Sequence, residues 1–190
     1  MAGCLLLASC AGTSPTRFYT LSSLSATPGE TPGMASRDLT VAVGPVTLPE
    51  YLNRPQLVTR DGSNRVLLSD FDSWIEPVQG LFARTLVANL AVLLGTDDVL
   101  LLAQRRPVRP DYQVEVEVTR FDVDTGGNAL LDARWWILDQ RAETVLRSGR
   151  STISQPAPIG NQAAAVQALS GALIGMSREI AGAIADHVES

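Results

Sequence analysis

At 190 residues, 45% hydrophobic and 18% charged, the chain has the size and balance of one folded domain with a continuous core, which excludes wholesale disorder and a membrane bundle. Twenty acidic residues against 15 basic ones leave a formal net charge of −5, a surface that repels phosphate backbones and argues against a nucleic-acid partner. All 15 basic residues are arginine, so lysine Schiff-base and lysine general-base chemistry are excluded too.

The amino terminus reads Leu5-Leu6-Leu7-Ala8-Ser9-Cys10: a short apolar run, two small residues and a cysteine. That is the layout of a bacterial lipobox, in which small residues fit the signal peptidase cleft and the thiol receives diacylglycerol. It predicts Cys10 as the lipidation site and residues 1–9 as the remnant of a signal. Only Met1 to Gly3 precede the apolar run, short of the charged n-region of a complete signal, so the expected start of translation lies further upstream. The two cysteines, Cys4 and Cys10, both fall in this leader region. The mature domain is therefore expected to hold together without a disulfide.

Phe18-Tyr19-Thr20-Leu21 is β-prone and offers the domain a short strand. Residues 22–38 are rich in Ser, Thr, Pro and Gly and predict a flexible tether, so that 10–38 form the anchor region and 39–190 the folded domain. Residues 40–46 predict a buried strand that bends at Gly44 and Pro45. Residues 57–60 and 65–69 flank Asp61-Gly62-Ser63-Asn64 and form a hairpin. Residues 76–94 carry Val78, Leu81, Phe82, Leu86, Leu90 and Leu93 at helical spacing, with Pro77 at the start and Gly95 as a left-handed cap.

A short strand is expected over 99–102, then a proline-rich connection. Residues 112–123 predict a long strand with Val114, Val116 and Val118 on one face. Past Arg120 the apolar positions become Phe121 and Val123, so the phase slips and a bulge is predicted. Turns at 126–128 and 140–144 lead into two more strands, completing an antiparallel meander. Residues 162–188 predict a second long helix with Val166, Leu169, Leu173, Met176, Ile180 and Ile184 in one stripe. The resulting fold class is α+β: two long helices packed on one face of a mainly antiparallel or mixed sheet, in a single domain.

Candidate contact residues follow from chemistry. The loop 49–55 holds two prolines with Tyr51 and Arg54, a stiff segment with the residue types enriched at interface centres. The same residues also suit a core role, with Tyr51 and Leu52 folding back and Arg54 pairing with an acid. Trp135 and Trp136 are adjacent on a strand, so one points inward and the outward one joins the partner surface. Trp74 before the first helix suits a partner anchor, and better a staple of the helix entrance to the core, which is the expectation. Arg105, Arg106 and Arg109 form a basic cluster suited to lipid headgroups or an acidic partner, or simply to solvent.

No catalytic constellation emerges. His187, the one histidine, lies near a helix end without a nucleophile. Asp97 and Asp98 read as a turn, and Asp122 and Asp124 lack the further ligands a metal site needs. No phosphate loop, dinucleotide fingerprint or nucleophile elbow is present, so a non-enzymatic protein without metal or cofactor is expected.

The residues Phe18-Tyr19-Thr20-Leu21, then Val43-Gly44-Pro45-Val46-Thr47-Leu48-Pro49-Glu50-Tyr51-Leu52-Asn53-Arg54-Pro55-Gln56-Leu57-Val58, then Trp74-Ile75-Glu76-Pro77 together resemble the PqiC/YmbA family of ABC-type transport auxiliary lipoproteins. The resemblance covers nearly the whole mature chain. It departs at Asn53, where the family usually has aspartate, and at Ser73, where a basic residue is common. The resemblance implies an outer-membrane lipoprotein facing the periplasm, partnered by an MCE-domain transport protein that conducts phospholipid or other hydrophobic cargo, with a homo-oligomer as a further arrangement. Ala11 after the anchor cysteine suits outer-membrane sorting, because the usual retention signal there is aspartate. The alternative is a structural envelope lipoprotein that stabilises another outer-membrane assembly without touching cargo.

Overall fold

A computed structural model of the chain describes residues 15–25, 39–102, 109–141 and 143–188. The elements run β1 (Arg17–Tyr19), β2 (Val41–Thr47), a single 3-10 turn (Glu50–Leu52), β3 (Gln56–Asp61), β4 (Arg65–Trp74), α1 (Val78–Leu94), β5 (Val99–Leu101), β6 (Tyr112–Asp124), β7 (Asn128–Asp139), β8 (Thr144–Pro156) and α2 (Gln162–Val188). The predicted hairpin, meander and both helices are all present, and β1 supplies the short strand expected after the anchor.

The eight described strands form one mixed sheet organised around β6. One edge of β6 pairs antiparallel with β7 along its length, and β7 pairs with β8 in the same sense. The other edge is shared by two partners: β2 runs parallel to the first half of β6, from Val41 opposite Tyr112 to Thr47 opposite Glu117, and β3 meets its end at Val123 and Asp124. The sheet therefore forks. One branch is β2 with β5, and the other is β3, β4 and β1. The 3-10 turn sits in the fork, between β2 and β3.

Two of the register shifts fall along β6 and adjust it to this arrangement. Between Val43 and Val46, β2 takes three steps while β6 takes two, at the Gly44-Pro45 bend. The phase slip expected near Arg120 is centred on Thr119, where Val118 faces Ala133 and Arg120 faces Asp132. The Thr119 hydroxyl donates to the Asp132 carbonyl at 3.0 Å, so the extra residue is satisfied locally.

Both helices cover one face of the sheet. Phe82 of α1 meets Phe121 of β6 edge to face at 5.2 Å, and α2 lies over β7 and β8. Leu86, Leu90, Leu173, Met176, Ile180 and Ile184 are fully buried between helices and sheet, as their spacing predicts. Gly95 closes α1 in the left-handed region at φ 68°, donating its N–H to Ala91. Asn161 caps α2, its Oδ1 accepting from Ala164 N at 3.0 Å. Trp74 is buried at the entrance to α1, as expected.

The tether reading needs correction at its start. Leu21 is buried, Ser22 N donates to Ser170 Oγ at 3.1 Å, and Leu24 N donates to Asn89 Oδ1 at 2.8 Å. Residues 21–25 thus lie across both helices, and the fold takes in β1 and this segment upstream of Leu39. The contacts run through backbone N–H groups, which leave no side-chain periodicity to read. Residues 26–38 lie outside the described residues.

Asn89 is the hub of this attachment. It is fully buried, and its Nδ2 donates to Ser177 Oγ at 3.0 Å, joining α1 to α2 while its carbonyl holds the incoming strand. Asn89→Ala should cost about 1–3 kcal/mol through the stranded Leu24 N–H, with the Ser177 hydroxyl keeping its bond to the Leu173 carbonyl, measured by urea unfolding. Hydrogen exchange at residues 22–25 should quicken more than exchange in β6 and β7.

Candidate partner surface

Strand alternation sets the outer face of the sheet. Val114, Val116, Val118 and Phe121 of β6 point toward the helices, so Asp122 points away from them. It is nonetheless buried, because the loop 49–55 and Arg60 close over it. Tyr51 donates its hydroxyl to Asp122 Oδ2 at 2.6 Å. Arg60 reaches the same oxygen through Nε at 3.2 Å and Nη2 at 3.1 Å, and Arg120 Nη2 donates to Oδ1 at 2.7 Å. The Arg60 guanidinium also lies 5.2 Å from the centre of the Tyr51 ring.

One carboxylate thus ties the 3-10 turn, β3 and β6 together. Burial and the adjacent Asp122 carboxylate push the Tyr51 phenol up to about 12. Leu52 is buried in the core, and Arg54 turns back to donate Nε to the Tyr51 carbonyl at 2.7 Å. Of the two roles the sequence left open for this loop, the core role describes Tyr51 and Leu52. Arg54 is bonded to a backbone carbonyl, however, and not to an acid. Glu50, Asn53 and Pro55 are the exposed crests.

The tryptophan pair resolves into opposite roles. Trp135 is 5% exposed and donates Nε1 to Ser151 Oγ at 3.0 Å. Its indole occupies the place where a side chain on Gly149 would begin, 2.2 Å from an ideal Cβ, so only glycine fits opposite it on β8. Trp135 is therefore the inward member, and it leaves the partner surface. Trp136 is half-buried on the outer face beside Glu115 of β6 and Ser148 of β8. Arg134 two residues earlier, itself exposed, was the signal for this phase.

Tyr51 and Trp136 share the outer face without touching. Their positions on β6, Asp122 and Glu115, are seven residues apart, roughly 20 Å at strand spacing. The ground between is polar: Arg150 grips Asp132 through two bonds of 2.8 and 2.6 Å, and that guanidinium holds the Asp132 carboxyl below its ordinary range. Of the basic cluster, Arg109 pairs with Glu143 at 3.0 Å, and both are exposed. Arg105 and Arg106 lie outside the described residues.

His187 is exposed near the end of α2 with its ring 6.0 Å from that of Tyr112. Asp124 is a turn residue, accepting from Asn128 N at 2.9 Å. Among the described residues no group of three His, Cys, Asp or Glu could hold a metal ion. The Asp122 cluster was not foreseen from the sequence, because its members are 62 and 71 residues apart.

Removing the phenol tests that cluster. Tyr51→Phe should destabilise the fold by about 1.5–3 kcal/mol, the range for a bond to a charged group, in urea unfolding. A phenol whose folded pKa is raised stabilises the fold fully below its unfolded pKa near 10, and that contribution is lost as pH rises toward about 12. An absorbance titration of the native chain should accordingly show a late phenolate step that Tyr51→Phe lacks.

Comparison with known proteins places this architecture. The chain matches solved structures over nearly its whole length. One crystal structure of an uncharacterized protein has a TM-score of 0.73 at 19% identity, covering 90% of this chain and 99% of that one. A Xanthomonas campestris protein of the DUF330 family has a TM-score of 0.72 at 18% identity, covering 91% of this chain and 98% of that one. At such identity these likenesses speak for the fold. Sequence comparison with curated proteins gives no match. The description that does match, over residues 19–181 and so from the end of β1 into α2, is ABC-type transport auxiliary lipoprotein component, and the chain belongs to that family.

Proposed function

We propose that this protein is anchored through Cys10 in the outer membrane, faces the periplasm, and serves as the docking subunit of an MCE-type transport system for phospholipid or other hydrophobic cargo. The observation that carries this reading is the family match over residues 19–181, which makes the chain an auxiliary lipoprotein of transport. The work proposed for it is binding, without catalysis or a cofactor. The docking surface is the outer face, with Trp136 at one end and the loop of Tyr51 and Arg54 at the other. The basic cluster of Arg105, Arg106 and Arg109 is a further contact for an acidic partner, Arg109 standing beside the β7–β8 turn through Glu143. An open recess of about 640 Å³ lined by Val43, Pro45, Val46, Pro77, Ala83 and Leu102 is the apolar space suited to an acyl chain.

Cys10→Ala should remove the acyl mass and move most of the chain from the membrane to the soluble fraction, read by intact mass and fractionation. Acyl mass that persists in the variant, or that the native chain lacks, would end the lipobox reading.

Binding to the purified MCE-domain partner tests the surface. Trp136→Ala should weaken it by about 1 kcal/mol or more while leaving the urea midpoint nearly unchanged, because the indole is only half-buried. Tyr51→Ala with Arg54→Ala should weaken it as well, at a measurable cost in stability through Asp122. Full affinity in both variants would move the interface off this face. Phospholipid in solvent extracts of the purified protein supports cargo contact.

A further inference from the structure

The start of β4 presents apolar residues to solvent on both of its faces. Val66, Leu67 and Leu68 are three consecutive residues, all exposed, so apolar side chains occupy both faces of the strand. Phe71 is exposed further along β4, and Phe18 of β1, 61% exposed, lies beside it, opposite Ser73. Ile159, 77% exposed in the β8–α2 loop, extends the patch. It lines a recess of about 270 Å³ together with Leu67, Leu68, Val123, Pro158 and Ala165. A half-solvated hairpin keeps one polar face, whereas this one keeps none along residues 66–68.

The direction of β1 says what lies against this patch. It runs parallel to β4, with Arg17 opposite Asp72 and Tyr19 opposite Trp74. The chain therefore enters the fold from the side of residues 65–71, the end where the hairpin turn lies. Arg17 fixes that entry, its Nε donating to the buried Asp72 carboxylate at 2.7 Å and Nη2 at 3.0 Å. Cys10 is only seven residues upstream of Arg17, no more than about 25 Å even fully extended. A lipid anchor there holds the bilayer against the hairpin end at high effective concentration. Of the charges beside the patch, Arg65 is paired with Asp61 and Arg17 with Asp72, which lowers the cost of approaching headgroups, while the exposed Asp70 carboxylate stays on the water side of the interfacial layer.

We propose that the β3–β4 hairpin is a membrane-contacting wedge, in which Val66, Leu67, Leu68 and Phe71, with Phe18 beside them, lie in the interfacial layer of the bilayer that holds Cys10. This rests on the reading of Cys10 as the lipidated residue. The wedge fixes the tilt of the domain on its membrane and turns the opposite end, where β7 joins β8, toward the periplasm. Apolar side chains at the interface add to acyl anchoring without spanning the bilayer.

With Cys10 acylated and Cys4 in the leader, an introduced thiol is the free thiol available for labelling, and intact mass verifies one label per chain. Leu67→Cys, Phe71→Cys and, at the far end, the solvent-facing Val145→Cys would each carry an environment-sensitive fluorophore. Each full-length variant, once its urea midpoint matches the native chain, is reconstituted in phosphatidylethanolamine–phosphatidylglycerol vesicles doped with spin-labelled phosphatidylcholine. The labels at 67 and 71 should be quenched about two-fold or more relative to that at 145. Equal quenching at all three positions overturns the wedge. So do labels at 67 and 71 that are shielded from water yet unquenched by lipid, which would assign the patch to a second copy or another protein. Intact mass reports the anchor separately: a chain without acyl mass refutes the Cys10 reading, and the wedge is then read from the same labels in a Cys4→Ser, Cys10→Ser background, where lipid quenching at 67 and 71 keeps it and its absence refutes it as well.

Discussion

The sheet forks because two strands claim one edge of β6, and the fork is held by the Asp122 carboxylate. A buried charge is costly unless paired and hydrogen-bonded, and here its two oxygens receive a phenol and two guanidinium groups. Tyr51 comes from the turn that leaves β2, Arg60 from β3, and Arg120 from β6 itself. The carboxylate thus does for the two branches what backbone hydrogen bonds do within each one. Without it, the 49–55 loop would have no reason to lie on β6, and the β3–β4–β1 branch would be joined to the sheet by two residues of pairing, Thr59 and Arg60.

A second carboxylate repeats the arrangement at the edge. Asp72 is almost fully buried and accepts from Arg17, Tyr19 and Ser69. Its burial opposes ionisation, but the Arg17, Ser69 and Tyr19 hydrogen bonds outweigh that and hold the carboxyl below its ordinary range. Its contribution is present above the unfolded carboxylate pKa and fades as pH falls through the lowered value. Three residues of strand pairing would be a slight grip for β1. The ion pair is what gives that strand a defined place.

Elements with strong periodicity were legible in the sequence. The valines at 114, 116 and 118 announced β6, and the change of phase to Phe121 announced its bulge within one residue. The α2 stripe from Val166 to Ile184 is buried throughout. Sequence reasoning did not reach what depends on distant partners. The parallel pairing of β2 with β6 brings together residues about seventy apart, and nothing local to Val41 specifies it. Tyr51 and Arg54 carried an interface composition, yet Tyr51 is half-consumed by a partner 71 residues away. Asn89 was a missed clue: an amide in the apolar stripe of α1, next to Leu90, must find a buried partner, and it found two. The Trp135 and Trp136 phase was available from Ala133 and Ile137 on one side and Arg134 on the other.

The parallel sense of β1 has a mechanical consequence. A strand loaded along its own axis resists as a unit, since every hydrogen bond to its neighbour is sheared at once, whereas a strand peeled from its end gives way one bond at a time. The chain upstream of Arg17 feeds directly into β1, so a pull along the strand's own axis meets Arg17 first, where it clasps Asp72 at the first register position. Any pull transmitted along that chain therefore falls first on the clasp and then on all three paired positions together. Three residues and one ion pair, placed in line with the load, form a joint stronger in tension than their number suggests. A pull directed away from the sheet would open the same joint from its end.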